Sequence, residues 1–310
     1  MAERERRKMG VGEVAGRKGG AKLAMVTAYD ILTARLVEAA GIDLILVGDS
    51  LGMVVLGHES TVPVTVEDII RHTRAVRRGA PRTHIVADLP FMAYRVSDEQ
   101  AIANAVRLIG EGGADAVKLE GGRAFADRIR AIVDMGIPVM GHVGLLPQTG
   151  GGGRFRVQGR DVASAMRIVA DAEAVAAAGV YSMVIELVPA ELAQLVTERV
   201  PAPTIGIGAG VGCDGQVLVS TDLLGIDPTL SMKFIKRYAE LGPVMAAAFA
   251  AYADEVRGGE FPTEEQSFAM KPDVLEALRG ELAARGDAVA AGRSYLYRSG
   301  TAGSDGDGRS

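Results

Sequence analysis

The sequence predicts a (β/α)8 TIM barrel with flexible N- and C-terminal tails, and three observations lead to this prediction. About eight short apolar runs alternate with helical segments along the 310 residues, without a composition break that would separate two domains. Several runs are apolar at nearly every position, as in parallel strands buried on both faces. Many of them end in a single carboxylate, lysine or histidine, which is the active-site layout of such a barrel. The alternative is a doubly wound open sheet, but the first run, AMVTAYD, does not lead into a nucleotide-binding glycine loop.

Each predicted strand is a run rich in Val, Ile, Leu or Met between polar or glycine residues. The candidates are residues 24–28, 44–48, 84–89, 116–120, 139–143, 182–187, 204–208 and 216–220.

Capping signals mark the predicted helices between these strands. Asp30 precedes ILTARLVEAAG and Thr65 precedes VEDIIRHTRAVRRG, so both occupy N-cap positions. Ser97 and Gln100 form a capping-box pattern before AIANAVRLIGEGG. Further helical segments are predicted at residues 122–135, 160–178 and 189–199.

The length fits a single catalytic domain with two tails. A barrel of this type needs ~250 residues, and we expect it, with C-terminal helices, at residues 21–285. Residues 1–20 are basic and glycine-rich, and residues 286–310 contain few core-forming side chains. We therefore expect both ends to be disordered tails.

Charge and cysteine content exclude several functional classes. The net charge is −5, with 34 basic and 39 acidic residues, so there is no basic footprint for nucleic acid. The single cysteine, Cys213, excludes a disulfide framework and a cysteine metal cluster, and it favours a reducing, cytoplasmic setting. No apolar run approaches the ~20 residues of a membrane span.

Two carboxylates end adjacent predicted strands. Asp49 follows LILVG and Asp88 follows HIVA, and small neighbours leave space beside both. Two hard oxygen donors without accompanying cysteine or paired histidine suit Mg²⁺, which keeps several waters. The alternative is that each acid only caps a helix or lies in a loop. Their recurrence on neighbouring strands favours a metal site.

Lys118 and Glu120 are two positions apart on one predicted strand, so their side chains leave the same face. With Val117 and Leu119 toward the helices, the shared face is the barrel interior, where charges must be paired or bound. One reading is a structural Lys118–Glu120 ion pair. The other is that Lys118 meets a substrate carboxylate while Glu120 supports the metal, directly or through water.

A histidine and a third carboxylate end two later strands. His142, in PVMGHVG, is either a packing residue or a hydrogen-bond donor to a substrate oxygen. Glu186 ends SMVIE, and an apolar surrounding disfavours its charged form, as a general base near neutral pH requires. The alternative for Glu186 is a salt bridge across the barrel mouth. The loop at residues 144–160 contains four consecutive glycines and is expected to be a mobile lid.

Seven motifs together resemble one known family. They are TAYD, VGDSLGMVVLGHESTVPVTVEDIIRHTRAVRRGAP, VADLPFMAY, AVKLEGG, GIPVMGHVGLLPQ, VQGR and IGIGAGVGCDGQVLV, and the similarity runs from about residue 22 to 268. The family is ketopantoate hydroxymethyltransferase of the pantothenate pathway, a (β/α)8 barrel related to phosphoenolpyruvate mutase and isocitrate lyase. The chain departs from the family pattern at Gly150–Gly153 with Arg154 in the lid, and at Gln266, where the family commonly has histidine.

The resemblance implies an activity and a set of roles. The family transfers a hydroxymethyl group from methylenetetrahydrofolate, a cosubstrate, to α-ketoisovalerate, and its members are homo-oligomers, as decamers. The implied roles are Mg²⁺ binding by Asp49, Asp88 and Glu120 (the last through water), keto-acid binding by Asp49, Ser50, Asp88 and Lys118, a further substrate contact at His142, and general-base catalysis by Glu186.

Two competing functions remain open at this point. One is another Mg²⁺-dependent enzyme of the same superfamily, such as a C–C lyase, although those lyases use a lid cysteine and Cys213 lies in a different context. The other is a catalytically silent barrel that serves as a scaffold, against which the retained polar strand-end residues argue.

Overall fold

Eight parallel strands close into a barrel in which each strand pairs with its sequence neighbours and the last pairs with the first. This computed structural model describes residues 7–149 and 156–298. The predicted fold class is confirmed. The strands are β1 (Leu23–Thr27), β2 (Leu44–Val47), β3 (His84–Asp88), β4 (Ala116–Lys118), β5 (Val139–Gly144), β6 (Ser182–Glu186), β7 (Thr204–Ile207) and β8 (Gly215–Leu218).

Most of the strands are followed in sequence by one or two helices. The α-helices of the described residues are α1 (Val11–Ala15), α2 (Ile31–Ala39), α3 (Leu51–Val54), α4 (Val66–Gly79), α5 (Asp98–Gly110), α6 (Ala126–Asp134), α7 (Val162–Ala177), α8 (Ala190–Arg199), α9 (Ser220–Leu223), α10 (Leu241–Gly258) and α11 (Pro272–Arg298). Short 3-10 helices occur at Arg123–Phe125 and Glu264–Gln266.

The predicted N-caps are present. The Asp30 side chain accepts the backbone N–H groups that open α2, and the Thr65 side chain does the same for α4. Ser97 accepts the N–H of Gln100 at the start of α5. The predicted capping box is not completed there, because the Gln100 side chain accepts the N–H of Val96 rather than that of Ser97.

Most strand bounds lie within one residue of the prediction, and two strand ends differ from it by two residues. β4 ends at Lys118, so Glu120 lies just past the strand, beside a bridge between Gly121 and His142. β8 ends at Leu218 because Ser220 already begins α9, where its N–H donates to Thr27 Oγ1 at 2.9 Å. Past β4 the backbone still donates from Leu119 N–H to Met140 O at 3.3 Å and from Gly121 N–H to His142 O at 3.0 Å, but the regular parallel ladder ends at Lys118.

Two apolar layers hold the barrel together. Alternate strand residues point to opposite faces. Within β2, Ile45 and Val47 belong to the layer between strands and helices, whereas Leu44 and Leu46 belong to the layer inside the barrel. The interior layer fills the N-terminal half of the barrel and leaves the inward positions at the C-terminal strand ends for other side chains.

The prediction of a disordered tail is wrong for residues 7–20. Helix α1 packs Val14, which is fully buried, against the interior layer at the N-terminal end of the barrel. Met9 O accepts from His84 Nδ1 at 3.1 Å, and Lys18 pairs with Asp214 at 3.1 Å. The sequence did not predict this packing of Met9, Val11 and Val14, because the interior surface that they contact forms only once the barrel has closed.

The C-terminal part of the chain differs from the prediction in its bounds. The chain divides into two compact units, one ending at Val244 and one starting at Met245. Helix α11 continues to Arg298, inside the predicted tail of residues 286–310. Residues 1–6, 150–155 and 299–310 lie outside the described residues, and the lid glycines Gly150–Gly153 with Arg154 are among them. None of the described helices is long and apolar enough to cross a membrane.

Candidate active site

A cavity of ≈ 160 Å³ opens at the C-terminal ends of the barrel strands. On the same measure of volume a cavity needs only about 10–15 Å³ to hold one water, so this space suits a small organic acid. All of the side chains that the sequence singled out line it: Asp49, Ser50, Asp88, Lys118, Glu120, His142 and Glu186.

The strand pleat explains why four of these side chains meet. Val86, Ala116, Met140 and Val184 lie in the interior apolar layer. Two positions further along the same strands, at the next inward position, are the four polar residues. They are Asp88, Lys118, His142 and Glu186.

Asp88 and Lys118 form a buried ion pair. They occupy paired register positions of β3 and β4, and Lys118 Nζ lies 2.7 Å from Asp88 Oδ1. Asp88 Oδ2 accepts the backbone N–H of Asp49 at 3.0 Å, while Oδ1 receives no hydrogen bond of regular geometry from the described residues. Burial opposes the ammonium form, but the carboxylates of Asp88, Glu120 and Asp49 outweigh it and raise the pKa of Lys118.

The other two carboxylates have perturbed acidity. Burial, reinforced by the Asp88 carboxylate, raises the pKa of Asp49 to about 7. Burial and the Asp49 carboxylate also raise the pKa of Glu120 well above its usual range. Three buried carboxylates thus surround one ammonium group, and this excess of negative charge is what a divalent cation would offset.

The donor chemistry fits Mg²⁺. Asp49 and Asp88 offer hard oxygen atoms from neighbouring strands, and Asp88 Oδ1 is buried without a regular hydrogen bond among the described residues. No group of three acidic, histidine or cysteine side chains within those residues converges closely enough to hold a metal alone. A cation that keeps waters and takes only one or two protein carboxylates matches this arrangement.

His142 lies between Lys118 and Glu186. Its Nδ1 is 3.4 Å from Lys118 Nζ, and its Nε2 is 3.2 Å from Glu186 Oε2. Burial and the nearby ammonium of Lys118 lower the pKa of His142, so the ring is neutral. Since Nδ1 faces a donor, it acts as the acceptor, and Nε2 carries the hydrogen. Nε2 forms no hydrogen bond of regular geometry with the described residues, so its hydrogen stands beside Glu186 Oε2 in the cavity that both residues line.

Backbone geometry fixes the end of β6 at Glu186. The next residue, Leu187, has φ +46°, a left-handed conformation that ends the strand abruptly. Gly144 on the neighbouring strand has φ +96°, and a Cβ there would lie 2.3 Å from Glu186 O. The N–H of Leu145 donates to the same carbonyl at 2.8 Å. Within the described residues, the charged-group neighbour of Glu186 is His142 and not the Arg or Lys of the salt bridge that the sequence left open.

Gln148 is a site residue that the sequence did not single out. Only 3% of its surface is exposed. Its side-chain Nε2 donates to Asp49 Oδ2 at 2.9 Å. Its backbone N–H donates to Glu120 Oε2 at 3.1 Å. Nothing marks it in the sequence except a lone amide after the apolar GLLP segment, because loop residues follow no periodicity.

The rest of the cavity is an apolar wall, also not foreseen. It combines side chains from β6, β7 and β8 with residues that follow β8. Ser50, which also lines the cavity, has its Oγ in a 2.8 Å hydrogen bond with Tyr29 Oη. The wall residues include Val184, Ile207, Val217, Val219, Leu230, Met232 and Phe234.

The closed barrel and its clustered strand-end groups define a (β/α)8-barrel enzyme equipped for acid–base chemistry. Solved structures share this fold. A 2,3-dimethylmalate lyase, a PEP mutase/isocitrate lyase superfamily member, aligns with TM-score 0.54 and 16% identity over 90% of this chain and 98% of its own. A phosphoenolpyruvate phosphomutase from Streptomyces platensis subsp. rosaceus aligns with TM-score 0.55 and 16% identity over 90% and 99%.

Sequence relatives define the family. Residues 11–264 match the family model described as ketopantoate hydroxymethyltransferase. The 3-methyl-2-oxobutanoate hydroxymethyltransferase of Moorella thermoacetica is 56% identical over 82% of this chain and 95% of its own length. The enzyme of that name from Carboxydothermus hydrogenoformans is 51% identical over 84% and 95%. The chain therefore belongs to the ketopantoate hydroxymethyltransferase family and is a hydroxymethyltransferase enzyme.

Proposed function

We propose that the chain transfers a hydroxymethyl group from methylenetetrahydrofolate to α-ketoisovalerate (3-methyl-2-oxobutanoate), forming ketopantoate in pantothenate biosynthesis with Mg²⁺ as cofactor. The observation that carries the proposal is one small cavity in which Glu186 and His142 share space with the buried Asp88–Lys118 pair. The names of the relatives, 3-methyl-2-oxobutanoate hydroxymethyltransferases, give the same substrate.

The metal would be held by Asp49 and Asp88, with Glu120 acting through a water molecule. When bound there, Mg²⁺ supplies Lewis acidity, which draws electron density from the keto group and makes the C3 proton of the substrate more acidic. The raised pKa of Asp49, to about 7 through burial and the Asp88 carboxylate, marks a site whose charge needs a cation.

Lys118 and His142 bind and orient the acid. The Lys118 ammonium is a fixed positive charge for the substrate carboxylate and for the negative charge that develops on the oxygen when the proton leaves. The neutral ring of His142 offers its Nε2 hydrogen to a substrate oxygen. The apolar wall, with Val184 and Ile207, accepts the isopropyl group and keeps water from the reacting carbon.

Glu186 is the general base in this proposal. Its carboxylate ends β6 at the cavity, 3.2 Å from His142 Nε2, and accepts the C3 proton. The resulting carbon nucleophile forms a C–C bond with the one-carbon unit of the folate, and both C–N bonds of that unit break. One water molecule supplies the hydroxyl oxygen of ketopantoate, and tetrahydrofolate leaves with one proton from C3 and one from the water on its two nitrogens.

A product assay tests this function against its alternatives. We expect ketopantoate to form only when α-ketoisovalerate, methylenetetrahydrofolate and Mg²⁺ are all present. A scaffold protein would form no product, and a superfamily lyase would cleave an oxo- or hydroxy-acid without needing folate. Either of these results would refute the proposal.

We also propose a homo-oligomer, as a decamer. Helix α10 exposes large apolar side chains of the single chain, among them Phe249 at 68% and Tyr252 at 56%. Apolar groups exposed on this scale in one helix favour an assembly contact. Light scattering should give a mass of many chains, and a stable monomer at micromolar concentration would contradict the proposal.

A further inference from the structure

We propose that Gln148 is a positioning residue that sets Asp49 and Glu120 in place for the cation. This inference depends on the proposed Mg²⁺ site and goes beyond it, because Gln148 is not among the residues assigned to metal or substrate.

Gln148 connects the ends of three strands. Its Nε2 donates to Asp49 Oδ2 at 2.9 Å, past β2, and to Leu89 O at 3.0 Å, past β3. Its backbone N–H donates to Glu120 Oε2 at 3.1 Å, past β4. Carboxylates from separate strands therefore have one common hydrogen-bond partner, and each keeps its second oxygen for a cation or a water.

The chemistry of the partners fixes the orientation of the amide. Asp49 Oδ2 and Leu89 O are both acceptors, so the NH₂ group of Gln148 must face them. A flipped amide would place Oε1 against a carboxylate and a carbonyl. On the other side, Tyr94 Oη lies 2.7 Å from Oε1 as a donor.

A second set of contacts holds Tyr94. The side chain is fully buried, and its hydroxyl hydrogen is shared with Glu120 O at 2.9 Å. Arg95 Nη2 donates to the same hydroxyl at 3.0 Å, and its guanidinium lies 4.8 Å from the Phe125 ring centroid. The amide is thus held from both ends, as a residue that orients ligands must be.

The alternative role for Gln148 is a simple loop anchor. An anchor would contribute stability, while a positioning residue would contribute affinity for the cation. A change of the Gln148 side chain can separate the two roles. It keeps the hydrogen bond from the Gln148 backbone N–H to Glu120 and removes only the side-chain hydrogen bonds to Asp49, Leu89 and Tyr94.

The test compares Mg²⁺ binding by calorimetry, without substrate, in the full chain and in Gln148→Met, which keeps the side-chain length but loses the amide. We expect the Kd for Mg²⁺ to rise ~10–100-fold, as is typical when a partner of a metal ligand is removed. Gln158→Leu is the control, because the one side-chain hydrogen bond of its amide within residues 7–149 and 156–298 is to Arg156 O at 2.9 Å, and its loss should leave the Kd unchanged.

Tyr94→Phe provides a second measurement if Gln148→Met does not fold. It removes the hydroxyl that holds Oε1, and it should raise the Kd in the same direction by a smaller factor. A Kd equal to that of the unmodified chain in a folded variant would overturn the positioning role. Absence of Mg²⁺ binding by the unmodified chain would instead refute the proposed metal site, so the two failures are distinguishable.

Discussion

Lys118 Nζ lies 2.7 Å from Asp88 Oδ1, and the register of β3 and β4 places these two residues directly beside each other. The pair therefore follows from strand alignment rather than from a loop conformation. Lys118, the proposed binding residue for the substrate carboxylate, therefore contacts the same Asp88 carboxylate that is proposed to bind Mg²⁺. Changing either residue should affect both substrate binding and metal binding.

Lys118→Met should weaken the binding of α-ketoisovalerate and also lower the rate. The ammonium faces negative charge in the bound acid and in the transition state, so its loss affects both. A hydrogen bond to a charged group contributes about 1.5–3 kcal/mol, or roughly 10–150-fold. Calorimetric titration of the keto acid, together with kcat and KM, tests this. An unchanged keto-acid affinity would place the substrate carboxylate elsewhere.

Asp88→Asn should weaken Mg²⁺ binding sharply while the barrel stays folded. The substitution removes one of two charged ligands at a strand end and leaves the apolar core intact. Asp222→Asn is a matched control, because Asp222 lines the same cavity without a proposed metal role. Activity measured at limiting Mg²⁺ should fall for Asp88→Asn only, and full activity of that variant would remove Asp88 from the metal site.

Mg²⁺ binding should strengthen as the pH rises through 7. Burial and the Asp88 carboxylate raise the pKa of Asp49 to about 7 in the metal-free chain, far above its usual value of 3.8. Because the folded pKa is raised, this group stabilises the metal-free fold at low pH, and that contribution is lost as the pH rises toward 7. Mg²⁺ binds the ionised form and releases the proton.

The Mg²⁺-induced rise in Tm should consequently grow between pH 6 and pH 8. Thermal unfolding of the full chain with and without Mg²⁺ measures it, and Asp49→Asn, which cannot titrate, should give a flat and smaller response. An equal Tm shift at both pH values for the full chain would show that no ligand proton is displaced.

Gly144→Ala should displace the end of β6 and reduce activity. The position has φ +96°, and the new Cβ would meet Glu186 O at 2.3 Å. A non-glycine residue in left-handed backbone costs about 1–2 kcal/mol before the clash is counted. Gly136→Ala is the control, because φ is +80° there but nothing lies within 4 Å of the added Cβ.

Both glycine variants should lose stability in chemical unfolding, and Gly144→Ala should also lose activity at a temperature where it remains folded. Equal activity of the two folded variants would mean that this contact does not position Glu186.

The sequence predicted the barrel well because its signals are local and repeated. Runs of apolar residues, N-cap side chains and the two-residue pleat all specify structure from neighbouring positions. They place Asp88, His142 and Glu186 at strand ends and Lys118 on an inward face. The pairing of Lys118 with Asp88 rather than with Glu120 required the strand register, which a single sequence does not contain.

The features that escaped prediction depend on distant contacts. Gln148 acts through partners past three strands, and no spacing rule connects them. Helix α1 is stabilised by Val14 against an interior surface that forms only when the strands close. The apolar wall around Phe234 draws on residues after β8 that have no strand or helix pattern.

The central claim is that Glu186 removes the C3 proton of α-ketoisovalerate with Mg²⁺ present. NMR should follow exchange of that proton into deuterated water, without folate, for the full chain and for Glu186→Gln. The account predicts exchange by the full chain only with Mg²⁺, and a ~10²–10⁴-fold slower exchange by Glu186→Gln, with Mg²⁺ and keto-acid binding retained. Exchange by Glu186→Gln at the rate of the full chain would contradict it and assign the proton transfer to another group.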